Sequence, residues 1–287
     1  MAAIDNRKIE YEKIRVVAMI FTIAVHVLSI LPRCTEGEEY LYDGLTLIFY
    51  TCNALFFMLS GKFAIAVKCE SFQDYYNYYV KKVINLVIPI LFYMFLRTVY
   101  ELGGKFWETS FWKSYIHNVL SDYSQREFWF LYVLLGMILL APFFNKMCAN
   151  LKSGEMWILI TFGILYNAIC SYGSYLHISF SWNYILGGWV FYFILGYCLE
   201  KIIDTPFKEN IVIILGAICF IISFALKQFD LISGIHDLAP TFTLISCAMF
   251  FLLMRHSIKN KYLTGIIRQC GKYSFAIYMI HNAINAF

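Results

Sequence analysis

Residues 14–31 read IRVVAMIFTIAVHVLSIL, an apolar run of 18 residues whose one permanent charge is on Arg15. A helix of this length suits the roughly 30 Å hydrocarbon core of a bilayer. The run lacks the alternation of polar and apolar residues that marks a strand of a membrane barrel, and lipid offers the backbone no hydrogen-bond partners. The stretch therefore predicts a transmembrane helix, and similar runs recur along the chain.

The composition of the whole chain agrees with this prediction. Of its 287 residues, 60% are hydrophobic and 15% are charged, and the mean hydropathy is +0.63, whereas an ordinary soluble domain is about 25% charged. The net charge of +4 comes from Lys and Arg residues scattered over short segments, which excludes a nucleic-acid-binding face. The nine cysteines never form a CxxC pair, so we predict neither a disulfide framework nor a metal site.

Nine apolar runs predict an all-α, polytopic transmembrane bundle of nine or ten helices. With the N-terminus in the cytoplasm, 16 Lys and Arg residues fall on the cytoplasmic side and 5 on the other side. This imbalance predicts a cytoplasmic N-terminus by the positive-inside rule. We expect one integral-membrane domain over residues 1–287 that lacks its last helix. The runs cover residues 14–31, 44–67, 83–103, 128–147, 156–172, 184–203, 211–227, 239–256 and 272 onward.

Arg15 and His26 lie in the first run, where polar groups are costly enough to suggest a function. They are eleven residues apart, so their side chains project from one face of the helix, about 16 Å apart along its axis. Such a pair suits a substrate whose phosphate groups bind the arginine while its reactive end reaches the histidine. The structural alternative is that Arg15 anchors the helix at the cytoplasmic surface and His26 only forms a hydrogen bond between helices.

Three further groups place polar residues in or beside apolar runs. His281 lies in the last run with Tyr278 one turn before it, at a depth similar to that of the histidine in the first run. The two histidines are expected to meet, or each is satisfied separately by neighbouring helices. Ser60 precedes a glycine in the second run, where tight helix packing is the simpler explanation. Lys81 and Lys82 precede the third run and suit an anionic lipid as readily as a nucleotide.

Six phrases, in order along the chain, resemble the bacterial acyltransferase 3 family of integral-membrane acyltransferases. Each phrase alone is weak, but six in order over nearly the whole chain make a specific match. Two positions depart from the family pattern, since Glu12 stands in place of an aspartate and Asn85 in place of an arginine. The phrases are the Arg15 to His26 spacing, FFMLSG at residues 56–61, the basic pair before Pro89, WFLY at residues 129–132 with Pro142, YFILGY at residues 192–197 and SFAIYMIH at residues 274–281.

The resemblance implies an enzyme of the bacterial cytoplasmic membrane that needs no metal. It implies transfer of an acetyl or other short acyl group from acyl-CoA to a hydroxyl group of an envelope glycan or a related small acceptor. His26 is then the general base or a transient acyl carrier, and His281 is a second catalytic residue. Arg15, also a catalytic candidate, binds the acyl-CoA phosphates together with Lys81 and Lys82.

Ser60, Trp129 and Tyr278 are weaker candidates for lining the acyl-CoA tunnel or for donating to the oxyanion that forms during transfer. A transporter or flippase without acyl chemistry and a catalytically inactive scaffold are the alternatives from other functional classes. The runs show no inverted repeat, and Glu101 is the clearest carboxylate inside a run, which argues against ion-coupled transport. Acyl transfer is therefore the predicted function.

Overall fold

The computed structural model describes residues 8–32, 35–120, 129–173, 187–229 and 238–284. Within these ranges every regular element is a helix, which confirms the predicted all-α class. The helices are long and apolar, as in a multi-pass membrane protein. In chain order the α-helices are α1 (Ile9–Ile30), α2 (Glu36–Phe49), α3 (Thr51–Ile65), α4 (Phe72–Lys82), α5 (Ile88–Glu101), α6 (Thr109–Leu120), α7 (Trp129–Cys148), α8 (Ser153–Gly173), α9 (Gly188–Ile202), α10 (Pro206–Gln228), α11 (Pro240–Arg255) and α12 (Lys261–Ile284).

Each of the nine predicted runs overlaps at least one helix, and six stretches of the described chain are long and apolar enough to cross a membrane. α9 and α11, with 15 and 16 residues, extend only about 22–24 Å, less than the hydrocarbon core. The span count of nine or ten and the cytoplasmic N-terminus stay predictions. The six stretches are Ile9–Ile30, Gly37–Ile65, Phe72–Glu101, Trp129–Cys148, Ser153–Gly173 and Pro206–Gln228.

The starts of several helices differ from the predicted ones. Helical structure begins at Glu36, Phe72 and Lys261, two to three turns before the apolar runs that predicted it. Thr35 and Ser71 account for the first two starts, because each forms a capping box with the acidic residue three positions later. These first turns are polar, so hydropathy alone does not detect them.

Pro89, predicted near the start of the run 83–103, lies in the middle of a longer continuous helix. The stretch Phe72–Glu101 runs from α4 through a π-helical segment, Val83–Val87, into α5. Proline cannot donate to the carbonyl four residues before it, and its ring needs room in the preceding turn. The wider π turn gives that room and keeps the helix continuous. Lys81 and Lys82, predicted to lie ahead of the span, are therefore part of this same helix.

The chain forms two compact units. The first comprises Met1–Ala66 and Met147–Phe287, and the second comprises Val67–Lys146. α1–α3 and α8–α12 belong to the first unit, while α4–α6 and nearly all of α7 belong to the second. The prediction of a single domain over residues 1–287 stays a prediction.

In the second unit, hydroxyl groups of α4 bind backbone carbonyls of α7. Tyr78 donates to the carbonyl of Ile138 at 2.7 Å, and Tyr79 donates to that of Leu139 at 3.0 Å. Pro142 lies inside α7 and has no N–H for the carbonyl of Ile138, four residues before it. The Tyr78 hydroxyl therefore replaces the donor that proline removes, as a buried carbonyl requires.

In the first unit, α3 and α9 pack backbone to backbone. A Cβ at Gly61 would lie 1.7 Å from the carbonyl oxygen of Phe193, and a Cβ at Gly196 would lie 1.9 Å from that of Met58. Helices in lipid gain no hydrophobic driving force from association and depend on such close contacts between small residues. Tight packing, the simpler explanation for the glycine after Ser60, is thus confirmed for Gly61.

The other helices of the first unit surround this pair. α1 packs against α2, α3, α11 and α12, and α8 packs against α9 and α11. α10 packs on α11 and α2. Only 11% of its most apolar stretch is buried in the chain, so most of that stretch is open to contact with lipid.

We expect Gly61→Ala and Gly196→Ala each to destabilise the protein by about 1–3 kcal/mol, because the added methyl group meets a backbone carbonyl that moves only if α3 and α9 separate. Thermal unfolding of the purified protein in detergent measures this loss. Gly136→Ala in α7 is the control, because a Cβ there meets nothing within 4 Å and alanine favours the helix. Equal unfolding midpoints for Gly61→Ala and the control would contradict the proposed packing.

Candidate functional site

The first helix carries two of the predicted site residues, Arg15 and His26. α1 is one α-helix from Ile9 to Ile30, so the eleven-residue spacing puts both side chains on one face, about 16 Å apart along the axis. Both residues are partly buried. His26 lies only four residues, about 6 Å, from the C-terminal end of the helix. The two residues therefore belong to opposite ends of α1.

A buried carboxylate holds Arg15. Nη1 of Arg15 donates to both carboxylate oxygens of Glu12 at 3.0 Å, and Glu12 is only 5% exposed. α12 covers this pair, because a Cβ at Gly271 would lie 2.1 Å from Oε2 of Glu12. Ser274 is also buried and donates to the carbonyl of Gly271 at 2.9 Å. An ion pair shielded from water interacts more strongly than an exposed one, so α1 and α12 together fix the guanidinium.

A second charged cluster lies at the same end of α1. Lys62 of α3 and Glu200 of α9 form an ion pair with 2.6 Å between Nζ and Oε2. Tyr11 of α1 donates its hydroxyl to the same carboxylate at 3.0–3.1 Å. Nζ of Lys62 lies 4.9 Å from the centre of the Tyr11 ring, within the range of a cation–π contact. The cluster therefore ties α1, α3 and α9 together beside Arg15.

Ser60 and Tyr278 lie on helices that pack against α1. Ser60 is partly buried on α3, and Tyr278 is buried on α12. The structure thus brings Arg15, His26, Ser60 and Tyr278 onto three neighbouring helices. His281 follows one turn after Tyr278 in α12, but its side chain lies outside the described residues, so its meeting with His26 stays a prediction.

Lys81, Lys82 and Trp129 belong to the second unit. Lys81 is exposed and Lys82 is partly buried at the end of α4, where Nζ of Lys82 lies 5.2 Å from the centre of the Tyr78 ring. Trp129 begins α7, and its ring lies 6.1 Å from that of Phe130. The structure places these three residues on other helices than Arg15 and His26, and their part in donor binding stays a prediction.

Tyr11, Lys62 and Glu200 are absent from the predicted site. Glu200 follows Lys62 by 138 residues, and hydropathy compares only near neighbours. The sequence does indicate Lys62 and Glu200, because a charge inside an apolar run is costly and therefore needs a partner. Lys62 lies in the run 44–67 and Glu200 in the run 184–203, and two opposite charges in separate apolar runs indicate contact between those runs.

Comparison with known proteins connects this geometry to a family. The model of the acyltransferase domain family matches residues 9–286. Two relatives, from Staphylococcus aureus strains MRSA252 and MSSA476, are each described as a probable poly-beta-1,6-N-acetyl-D-glucosamine export protein. They are 27% and 26% identical to the chain over 303 residues, which cover 97% of this chain and 83% of each relative. No solved structure matches the chain at a significant level.

We expect Glu200→Ala to destabilise the protein by about 1–3 kcal/mol, because the change removes the acceptor of both Lys62 and Tyr11. The unfolding midpoint in detergent measures the loss. Asp204→Ala is the control: Lys208 donates to Asp204 at 2.6 Å and lowers its pKa, but this pair is exposed and its removal changes little. A Glu200→Ala midpoint no lower than that of the control would show that the cluster does not stabilise the fold.

Proposed function

The chain belongs to the acyltransferase domain family whose model it matches, and from this premise we propose that it transfers an acetyl or other short acyl group from acyl-CoA to a hydroxyl group of an envelope glycan. The description of the relatives supports a polysaccharide related to poly-N-acetylglucosamine as the acceptor. We propose a location in the bacterial cytoplasmic membrane. The Arg15 end of α1 then faces the cytoplasm, where acyl-CoA is available.

The observation that carries this proposal is the arrangement of Arg15 and His26 on α1. Glu12 and α12 hold the guanidinium of Arg15 at one end of the helix. The imidazole of His26 lies about 16 Å further along the same face. An acyl-CoA molecule has phosphate groups at one end and a thioester at the other, so its two ends suit the two side chains. A fixed guanidinium binds phosphate without first losing rotamer entropy.

In the proposed reaction, the imidazole of His26 takes the proton of the acceptor hydroxyl while the hydroxyl oxygen attacks the thioester carbonyl. A carbon–oxygen bond forms, the carbon–sulfur bond breaks, and the proton passes from His26 to the leaving thiolate. Tyr278, on a helix beside α1, is proposed to donate to the oxyanion. Ser60 lies two residues before Lys62 on α3 and so near the Arg15 end of α1, and it is proposed to line the path of the donor.

In the two-step alternative, a nitrogen of His26 attacks the thioester carbonyl, a carbon–nitrogen bond forms as the carbon–sulfur bond breaks, and the imidazole proton passes to the leaving thiolate. The acceptor oxygen then attacks the acyl group, the carbon–nitrogen bond breaks, and the imidazole takes the proton of the acceptor hydroxyl.

Four further residues keep the roles that the family resemblance implies. Lys81 and Lys82 are proposed to bind phosphate groups of acyl-CoA, as two cations that suit an anionic ligand. His281 is proposed as a second catalytic residue. Trp129 is proposed to line the path of the donor.

The name of the relatives favours a second function, the movement of a polysaccharide across the membrane without acyl transfer. An ion-coupled transporter needs carboxylates that bind and release their partners. In the described part of the chain, Glu12 and Glu200 each hold a cation at 3.0 Å or less, Glu12 within α1 and Glu200 between α3 and α9. This arrangement is typical of a fixed structural element, so acyl transfer remains our preferred function.

We expect His26→Ala to lower acyl transfer at least about 100-fold, because the acceptor hydroxyl loses its base. Membrane vesicles that contain the protein are incubated with radiolabelled acetyl-CoA, and label in envelope glycan is counted. His256→Ala is the control, since His256 is exposed after α11. Transfer by His26→Ala at the control level would contradict the assigned base. No transfer by the folded wild-type protein would favour the transport function.

We expect Arg15→Ala to raise the KM for acetyl-CoA about tenfold or more, with a smaller change in kcat, because Arg15 binds a distant part of the donor. Initial rates at varied acetyl-CoA concentration measure both constants. Arg255→Ala is the control, because Arg255 ends α11 and pairs with Glu209 at the surface. An unchanged KM in Arg15→Ala would show that the donor phosphates bind elsewhere.

A further inference from the structure

His26 lies level with the middle of α2. Residues 31–35 join α1 to α2, the two helices pack side by side in antiparallel directions, and the rings of Phe21 and Phe49 lie 5.1 Å apart. His26 lies five residues after Phe21 in α1, and Gly44 lies five residues before Phe49 in α2. Because both steps rise about 7.5 Å in the same direction, His26 and Gly44 lie at about the same level.

Asp43, beside Gly44, is the centre of a polar cluster between α2 and α10. It is 6% exposed, and its Oδ1 lies 2.5 Å from Nζ of Lys227. Gln228 donates its side-chain N–H to Oδ2 of Asp43 at 3.0 Å. Nζ of Lys227 also lies 5.9 Å from the centre of the Tyr42 ring. We name these four residues the Asp43 cluster.

The Asp43 cluster is shielded but reachable. α10 closes against α2 beneath it, where the Phe224 ring lies 3.7 Å from the Cβ position of Gly44. The side chains of Asp43 and Lys227 are 9% and 24% exposed. The cluster lies level with His26, toward the end of α1 that is opposite to Arg15, so it is separate from the end at which donor phosphates are proposed to bind.

The chemistry of the Asp43 cluster suits an uncharged sugar. The charges of Asp43 and Lys227 cancel, so the cluster carries no net charge. A carboxylate accepts from sugar hydroxyls, while an ammonium and a primary amide each carry several N–H groups that donate to hydroxyl or acetamido oxygens. A tyrosine ring, here that of Tyr42, supplies a flat apolar surface with a polar tip.

We propose that the Asp43 cluster is the acceptor subsite, which binds an N-acetylated sugar so that one of its hydroxyl groups reaches His26. This inference rests on the proposed function and deepens it. Donor and acceptor then approach His26 from opposite ends of α1. Asp43 and Lys227 act in acceptor specificity and do not take part in the bond changes at the thioester.

The experiment compares the wild-type protein, Asp43→Asn and Lys227→Gln in lipid nanodiscs, with a tetramer of β-1,6-linked N-acetylglucosamine as the probe. Calorimetry gives the Kd of the tetramer, and initial rates give the KM of the tetramer and of acetyl-CoA. We expect both variants to weaken the Kd and raise the tetramer KM at least tenfold, with the acetyl-CoA KM within about twofold of the wild type. Glu101→Gln is the control. It removes the negative charge from another partly exposed ion pair, in which Oε1 of Glu101 lies 2.9 Å from Nε of Arg97.

The outcomes separate the subsite from the catalytic function. If the wild-type protein binds the tetramer through Asp43 but transfers no acyl group, the proposed function is overturned and the sugar-binding subsite is supported. A wild-type protein that transfers acyl groups, with an unchanged tetramer KM in both folded variants, would overturn the subsite. If both variants bind the tetramer as the wild type does but are no longer stabilised against unfolding by phosphatidylglycerol, the cluster binds lipid. That result would also overturn the subsite. If Asp43→Asn does not fold, Lys227→Gln decides alone.

Discussion

The backbones of α3 and α9 touch at Gly61 and Gly196, and the first unit is arranged around that contact. Lys62 directly follows Gly61, and Glu200 lies one turn after Gly196, so the distance between these helices also decides whether the ion pair forms. Tyr11 then brings α1 to the same carboxylate. In lipid, where apolar side chains gain nothing by leaving the solvent, this combination of small residues and one polar cluster is what joins three helices.

The charge on Arg15 is useful only because its surroundings fix it. Glu12 keeps the guanidinium in one place, and α12 excludes water from that carboxylate at Gly271. The same pairing lowers the net charge of the site, so a phosphate ligand competes with Glu12 for the guanidinium. Preorganisation favours the donor because the side chain is already oriented, while the competition limits the affinity and allows the product to leave.

Much of the fold follows from the sequence, because the apolar runs are long and a helix is the only open form that satisfies its own backbone in lipid. Because the first run must be a helix, the eleven-residue spacing of Arg15 and His26 also predicts that they share one face of it. The helix starts at Glu36 and Phe72 do not follow from hydropathy, since capping boxes in polar turns set them. The Lys62 and Glu200 pair and the Asp43 cluster join residues far apart in the chain, and only the packing of α3 on α9 and of α10 on α2 reveals them.

The hydrogen bond from Tyr78 to the carbonyl of Ile138 has a consequence for how the sequence can change over generations. Pro142 creates the vacant carbonyl, and the tyrosine fills it from another helix. A lineage that loses the proline regains the helical N–H, and the carbonyl of Ile138 then accepts from both the N–H and the phenol. A lineage that loses the phenol first leaves the carbonyl unsatisfied. Although the two positions are 64 residues apart, the tyrosine is thus expected to be kept wherever the proline is kept, and to change freely only after the proline is lost.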